Sequence, residues 1–161
     1  MLLKDKIAIV TGGTRGIGYA IVKAFLEEGA TVVLCGSRQE TVDKALASLK
    51  GEKVEGICPN LTKYDEVKAA FDAVEKKYGR IDILVNNAGV SASEKIGDYT
   101  AEMFQKTMDL NVTAVFNCTR AVVDGMKARH SGVILNTSSM VSKYAQPGGW
   151  PTPPASSPST A

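Results

Sequence analysis

The sequence predicts an α/β fold, a doubly wound parallel sheet with helices on both faces. Short apolar runs alternate with longer stretches that carry apolar side chains at helical spacing. The apolar runs are nearly continuous, which is typical of strands buried on both faces. A glycine-rich turn joins the first run to the first helical stretch. These observations predict strand order 3-2-1-4-5, with that turn where the order of the strands reverses.

Five apolar runs predict the strands, at residues 7–10, 31–35, 53–58, 81–85 and 132–136. The first helix is predicted from the glycine turn to about Gly29. Four more are predicted at residues 39–49, 65–78, 101–110 and 111–129. In two of these helices, one face collects the apolar side chains: Val42, Ala45, Leu46 and Leu49, then Val67, Ala70, Phe71 and Val74. We expect both faces to pack against the sheet.

The chain divides into a structured part and a tail. Its 161 residues suffice for one domain with its own core, which we expect to span residues 1–143. Residues 144–161 contain all but one of the prolines, the only tryptophan and many serines, with no apolar periodicity. This composition predicts an irregular tail.

Composition excludes several classes of function. The net charge is +2 with scattered basic residues, so no nucleic-acid partner is expected. No apolar run reaches the roughly 20 residues of a membrane span, and the chain enters a strand too early for a signal peptide. Cys35, Cys58 and Cys118 are odd in number and widely spaced. They indicate reduced core cysteines in a cytoplasmic protein, with a metal or disulfide site as the alternative.

Thr11-Gly12-Gly13-Thr14-Arg15-Gly16-Ile17-Gly18 forms the turn after the first strand. Glycines there allow a sharp turn and a close approach of phosphate to the main chain. The following helix start offers free N–H groups to an anion. The spacing differs from G-x-G-x-x-G, and a plain strand–helix turn is the alternative.

Three further signals lie at or near the carboxyl ends of later strands. Asn86-Asn87-Ala88-Gly89 follows the fourth strand, where its amides either border a ligand crevice or tie strand ends together. Asn111 lies on a predicted helix, and Asn136-Thr137-Ser138-Ser139 ends the fifth strand. Singly, such residues are usually caps or surface groups. Together they fall on the edge where open α/β sheets bind ligands.

These residues resemble the short-chain dehydrogenase/reductase family. The similarity lies in residues 11–18, 86–89, 109–112 and 134–139, in the family's order and spacing, within a match over about residues 4–145. The resemblance implies a Rossmann fold, a nicotinamide cofactor, and hydride transfer between that cofactor and a ketone or secondary alcohol. It also implies a homo-oligomer. We expect the substrate to be of the 3-oxoacyl or hydroxysteroid type.

The residues after the second strand favour NADP over NAD. A site for NAD places a carboxylate there to bind the adenosine ribose, whereas this chain has Cys35-Gly36-Ser37-Arg38. Arg38 offers a planar cationic fork to a 2′-phosphate, and Arg15 can reach the same place. The alternative is that Arg38 is a solvated surface residue.

The resemblance extends the cofactor site to other elements. It assigns Asn60 and Leu61 to the adenine, and Asn87, Ala88 and Gly89 to the ribose path. Ile17 is assigned to the pyrophosphate and nicotinamide side. The full set of expected cofactor contacts is Gly12, Thr14, Arg15, Gly16, Ile17, Gly18, Ser37, Arg38, Asn60, Leu61, Asn87, Ala88 and Gly89.

The family's catalytic group is only partly matched. The resemblance implies a tyrosine that transfers the alcohol proton, and a lysine four residues later that lowers its pKa. It also implies a serine that bonds the substrate oxygen, matched by Ser139, and an asparagine that orders a relay water, matched by Asn111. The tyrosine is expected at position 152, where this chain has Thr152.

No other tyrosine and lysine supply the missing pair. Tyr19 with Lys23 and Tyr64 with Lys68 have the spacing but lie far from Ser139 in sequence, and Lys143 and Tyr144 lack the spacing. We therefore weigh two hypotheses: an NADP-dependent reductase by family, and a non-catalytic NADP-binding fragment for this chain itself. In the second, the 161 residues are inactive and oligomer contacts are doubtful.

The genetic code suggests an origin for the tail. Residues 150–161 can be encoded so that the same DNA, read two bases later, gives Ala-Tyr-Pro-Thr-Ser-Lys-Phe-Ala-Val-Asn-Gly. This contains Tyr-x-x-x-Lys at the family's distance from Ser139. We hypothesise a frame-shifted, shortened version of a longer reductase. The fifth strand is then expected to be an exposed edge.

Overall fold

The computed structural model describes residues 1–91 and 94–139. The chain alternates strands and helices: β1 (Ile7–Thr11), α1 (Gly16–Glu27), β2 (Thr31–Cys35), α2 (Gln39–Ser48), β3 (Val54–Ile57), α3 (Tyr64–Tyr78), β4 (Ile83–Asn86), α4 (Ala101–Met108), α5 (Ala114–Ala128) and β5 (Val133–Asn136). The proposed boundary at residue 143, the tail, Lys143, Tyr144 and Thr152 lie outside the described residues.

All five strands form one parallel sheet in the order β3-β2-β1-β4-β5, which confirms the predicted order. The order reverses at β1, so the end of β1 is the switch point. Crossover helices are needed because parallel neighbours cannot be joined by a tight hairpin.

The side chains of β1 alternate between two cores, one on each face of the sheet. Ala8 and Val10 pack with residues of α1 and α2, including Val22 and Val42. On the other face, Ile7 and Ile9 pack with residues of α3 and α5: Val67, Phe71, Val74, Cys118 and Val122. The predicted inward faces of the second and third helices are confirmed, with Leu46 and Ala70 half-buried at their margins.

Some element ends differ from the predicted ones by one to three residues. The fourth strand begins at Ile83 rather than 81, although backbone pairing continues one residue further. There, Asp82 N–H donates to the Ile7 carbonyl, and the Asp82 carbonyl accepts from Val133 N–H. The end of a strand is defined only to within one or two residues.

The two helices predicted at 101–110 and 111–129 are not separated by a loop. A π-helical turn at Asp109–Thr113 joins α4 to α5, and its residues keep helical backbone angles at both ends. No glycine or proline lies between Ala101 and Asp124, so nothing in the sequence stops the helical path there. The wide turn contains Asn111, whose side chain is buried.

The amino end of the sheet is closed by one buried carboxylate. The Asp82 carboxylate accepts hydrogen bonds from Ile7 N–H and Arg80 Nε, both at 2.9 Å, with Lys6 Nζ at 4.0 Å. These contacts join β1 to the segment before β4. They satisfy a charge that would be costly to bury alone.

β5 is the exposed edge of the described sheet, as predicted. Val133 and Leu135 keep 49% and 47% of their surface exposed, whereas β4 beside it is buried throughout. Within the described part of the chain, no helix combines the length and apolar character needed to cross a membrane.

Candidate functional site

The glycine turn lies at the carboxyl end of β1, at the switch point. Gly12 has φ +65°, in the left-handed region that favours glycine. A Cβ on Gly18 would lie 2.2 Å from the Gly12 carbonyl oxygen and 2.5 Å from Asn87 Nδ2, so no side chain fits there. Helix α1 begins at Gly16 with no side-chain cap and no acidic residue in its first turn. Its first N–H groups therefore suit an anion.

The end of β4 is bonded to this turn. Thr11 Oγ1 accepts from the backbone N–H groups of Asn87 and Ala88 at 2.9 and 3.0 Å, and it donates to the Val85 carbonyl. Asn87 Nδ2 donates to the Thr11 carbonyl at 3.1 Å. Sequence reasoning assigned Thr11 no role. It fixes the two strand ends together, and its only sequence signal is its place at the start of the motif.

Asn86 and Asn87 both tie strand ends together, which was one of the two interpretations of this segment. Asn86 Nδ2 donates to Asn136 Oδ1 at 2.9 Å and to Thr119 Oγ1 at 3.2 Å. Asn87 Oδ1 accepts from Thr137 Oγ1 at 3.3 Å. These bonds do not remove Asn87 from the ligand edge, because it also borders the larger cavity there.

Two cavities open along the ligand edge. The larger, of about 680 Å³, follows the glycine turn and the ends of β2, β3 and β4. The smaller, of about 420 Å³, lies between α1 and α2. Thr14, Arg15 and Ser37 line both, so the two are contiguous. Their size is in the range of small-molecule sites.

Every residue predicted to contact the cofactor lies on these cavities. Arg38 lines the smaller cavity together with Arg15 of the glycine turn. The larger is lined by the other twelve: Gly12, Thr14, Arg15, Gly16, Ile17, Gly18, Ser37, Asn60, Leu61, Asn87, Ala88 and Gly89. The lining residues that sequence reasoning missed include Cys58, Pro59 and Val90 in the larger cavity and Lys44 in the smaller one.

One carboxylate, Glu66, borders the larger cavity. Its Oε2 accepts from Asn60 N–H at 3.0 Å and its Oε1 pairs with Lys63 Nζ at 3.5 Å. Asn60 Oδ1 in turn accepts from Thr62 N–H and Oγ1, at 3.1 and 2.8 Å. The Glu66 carboxylate, in the first turn of α3, is thus paired with the loop that precedes this helix. No acidic residue lines the smaller cavity.

Neither residue matched to catalysis is part of a cavity lining, although Asn111 bonds to Val90, which is. The Asn111 side chain is clasped to Val90: Nδ2 donates to the Val90 carbonyl at 2.8 Å, and Oδ1 accepts from its N–H at 2.9 Å. Asn111 Oδ1 also lies 3.2 Å from where a Cβ on Gly89 would be. Ser139 is exposed beyond β5 and lines neither cavity.

In the two other tyrosine–lysine pairs, both tyrosines and Lys68 have structural partners. Tyr19 OH is 2.7 Å from Ser48 Oγ, which lies 2.7 Å from the Ala45 carbonyl. The Tyr64 ring stacks with the Arg120 guanidinium, 4.3 Å from the ring centroid. Lys68 is paired with Asp72.

The chain matches the family model for short chain dehydrogenases over residues 6–151. It belongs to the short-chain dehydrogenase family. This similarity accounts for the parallel sheet and for the glycine turn at the switch point.

Individual relatives support this family membership. The chain is 57% identical over 153 residues to a 3alpha-hydroxysteroid dehydrogenase of Mediterraneibacter gnavus, covering 92% of this chain and 61% of the relative. It is 37% identical to a 3-oxoacyl-acyl-carrier-protein reductase of Thermotoga maritima, with the same two shares. The crystal structure of gox2181 superposes with TM-score 0.86 at 33% identity, over 89% of this chain and 57% of that one. The chain thus spans about three fifths of the length of these relatives.

The cysteines of this short-chain dehydrogenase are free thiols. Burial raises the pKa of Cys118 to about 12, and burial together with the neighbouring thiols raises that of Cys35. Cys58 is half-buried in the lining of the larger cavity. The described residues bring no three His, Cys, Asp or Glu side chains together as a metal site.

Proposed function

We propose that residues 1–143 form the NADP-binding domain of a short-chain dehydrogenase/reductase. The observation that carries this proposal is the smaller cavity, where Arg15, Arg38 and Ser37 meet with no acidic side chain in the lining. A ribose 2′-phosphate has charge of about −1.5 to −2 near neutral pH and suits two guanidinium groups. A site selective for NAD would present a carboxylate there instead.

The rest of the cradle fits a dinucleotide. The Gly12–Gly18 contact leaves no room for a side chain, and the uncapped start of α1 supplies N–H donors for the pyrophosphate. Asn60 and Leu61 would hold the adenine, and Asn87, Ala88 and Gly89 would line the ribose path. Ile17, which is 66% exposed, would contact the nicotinamide side. When bound, this cofactor supplies or accepts the hydride.

For the substrate, we propose a ketone or secondary alcohol of the 3-oxoacyl or hydroxysteroid type. The names of the two relatives, a 3alpha-hydroxysteroid dehydrogenase and a 3-oxoacyl-acyl-carrier-protein reductase, support this class. In the proposed reaction, Ser139 bonds the substrate oxygen. The Asn111 clasp holds the wall of the cavity at Val90.

A second proposal concerns the 161-residue chain by itself: it binds NADP without turnover. No Tyr-x-x-x-Lys follows Ser139 in the sequence. Tyr19 and Tyr64 are engaged with Ser48 and Arg120, on elements remote in sequence from β5. A tyrosine of ordinary pKa, near 10, needs a cationic neighbour to transfer a proton near neutral pH.

Titration of the purified chain with NADPH and NADH tests the cofactor proposal. We expect NADPH to bind at least about tenfold more tightly, and Arg38→Ala to remove most of that preference with little change in NADH affinity. Equal affinities for the two dinucleotides, or tighter binding of NADH, would refute the proposal.

A turnover assay with NADPH and a generic diketone separates the two functional proposals. We expect no turnover from the 161-residue chain, and measurable turnover would reject the non-catalytic proposal. Sequencing the coding DNA across residues 148–161 tests the frame hypothesis. If the second frame does not encode Tyr-x-x-x-Lys, that hypothesis fails.

A further inference from the structure

The smaller cavity contains a third cation that the glycine turn and the end of β2 do not supply. Lys44 lines it together with Arg15 and Arg38. None of these three side chains forms an ion pair within the described residues. By contrast, Lys68 and Lys106 on other helices are paired with a carboxylate one turn away.

The direction of Lys44 follows from its place on α2. Thr41, Lys44, Ala45 and Ser48 all line the smaller cavity, and their spacing is that of one helix face. Val42, one residue from this stripe, is fully buried against the sheet. The helix is therefore fixed by its core face, and its rotation presents Lys44 to the cavity.

The remaining lining is neutral and suits an anion. Ser37 and Thr41 bring hydroxyl groups, although Thr41 Oγ1 donates to the Arg38 carbonyl at 2.8 Å. Tyr19 and Ser48, which are bonded to each other, bring two more. Three cations and no carboxylate make this the part of the ligand edge where a multiply charged phosphate is most favoured.

We propose that Lys44 is a specificity-determining residue that contacts the ribose 2′-phosphate of NADP, a role that rests on the proposed function. The two arginines approach the phosphate from the glycine turn and from the end of β2. Lys44 approaches it from α2, so the anion is enclosed on three sides. Lys44 selects NADP over NAD and contributes nothing to the binding of a dinucleotide that lacks this phosphate.

The test compares Lys44→Gln with the wild type and with Lys50→Gln, using adenosine 2′,5′-bisphosphate, 5′-AMP, NADPH and NADH. Lys50 is exposed just beyond α2 and lines neither cavity, so its variant has the same net charge without the contact. At low ionic strength, we expect Lys44→Gln to weaken NADPH and the bisphosphate by about threefold to tenfold. Binding of NADH and 5′-AMP stays unchanged, and Lys50→Gln resembles the wild type.

Two further arms sharpen the result. Lys44→Arg should restore most of the lost affinity, and the effect of Lys44→Gln should shrink in high salt because the side chain is exposed. Equal losses in Lys44→Gln and Lys50→Gln, or equal losses for NADPH and NADH, would overturn the role of Lys44. If the wild type itself shows no preference for NADPH, the proposed cofactor preference fails first. A wild type that prefers NADPH with an unaffected Lys44→Gln leaves that preference standing and rejects Lys44 alone.

Discussion

The ligand edge of this sheet has two unlike halves. At the ends of β1, β2, β3 and β4, which we call the cofactor half, the predicted contacts converge on two contiguous cavities. At β5, the end of the strand is exposed and Ser139 reaches neither cavity. The cofactor half is built largely from backbone at neighbouring strand ends, with the close contact between Gly12 and Gly18 at its centre. The catalytic role proposed for Ser139 at β5 depends on side chains from distant parts of the chain, so we expect dinucleotide binding and turnover to be separable.

Gly18→Ala is the strongest way to break this comparison. The new Cβ would lie 2.2 Å from the Gly12 carbonyl oxygen, so the turn would have to shift. We expect NADPH affinity to fall more than about 100-fold, which corresponds to about 2.7 kcal/mol. Calorimetry measures the affinity, and circular dichroism checks the fold.

Gly97→Ala is the matched control for that glycine. A Cβ there meets no heavy atom within 4 Å, so affinity should remain close to wild type. Wild-type binding by Gly18→Ala would show that the cofactor half does not depend on its backbone packing.

Asn111→Ala tests the contact that holds the wall of the larger cavity at Val90. It leaves the Val90 N–H and carbonyl without their side-chain partner, and water replaces part of the loss because Val90 is 47% exposed. We expect the free energy of unfolding to fall by about 1–2 kcal/mol. Urea denaturation measures this. The exposed hydrogen-bonding residue Gln105, changed to Ala, should stay within about 0.5 kcal/mol of wild type. Equal stability of the two variants would argue against the clasp.

Leu135→Thr probes the exposed edge. The side chain keeps 47% of its surface exposed, so the free energy of unfolding should change by less than about 0.5 kcal/mol. Light scattering at high protein concentration should fall, because an exposed apolar edge strand promotes association. Leu84→Thr on the fully buried neighbouring strand is the contrast, with an expected loss of about 3 kcal/mol. Unchanged association of Leu135→Thr would mean that this edge does not mediate association of the chain.

Ser139→Ala should have the smallest effect on dinucleotide binding. Ser139 lines neither cavity, so NADPH affinity should stay within about twofold of wild type. The same titration used for Gly18→Ala measures it. A large loss would place Ser139 in the cofactor half and erase the distinction between the two.

The sequence predicted the fold well because its main signals are local. Continuous apolar runs define the strands, and glycines define the turn at the switch point. The π-helical turn at Asp109–Thr113 was not predicted, because a widened turn without glycine or proline leaves no mark on helical periodicity. The exact strand ends depend on pairing across the sheet, which no single run specifies.

The same division holds for the site. The position of Arg15 and Arg38 at the ligand edge could be predicted, because one lies within the glycine motif and the other follows the second strand. Lys44 could not, since its approach to the cavity depends on how α2 is rotated by Val42 against the sheet. Thr11 was missed because a threonine inside a buried strand gives no sign that its hydroxyl joins two strand ends.

The Asp82 carboxylate is a site at which the stability of the chain can be changed. Its bonds to Ile7 and Arg80 lie at the opposite end of the strands from both cavities. Substitutions that strengthen or weaken these bonds should change the thermal stability of the chain and leave the proposed dinucleotide preference unchanged. We therefore expect thermal stability and dinucleotide preference to be adjustable separately, at opposite ends of the same five strands.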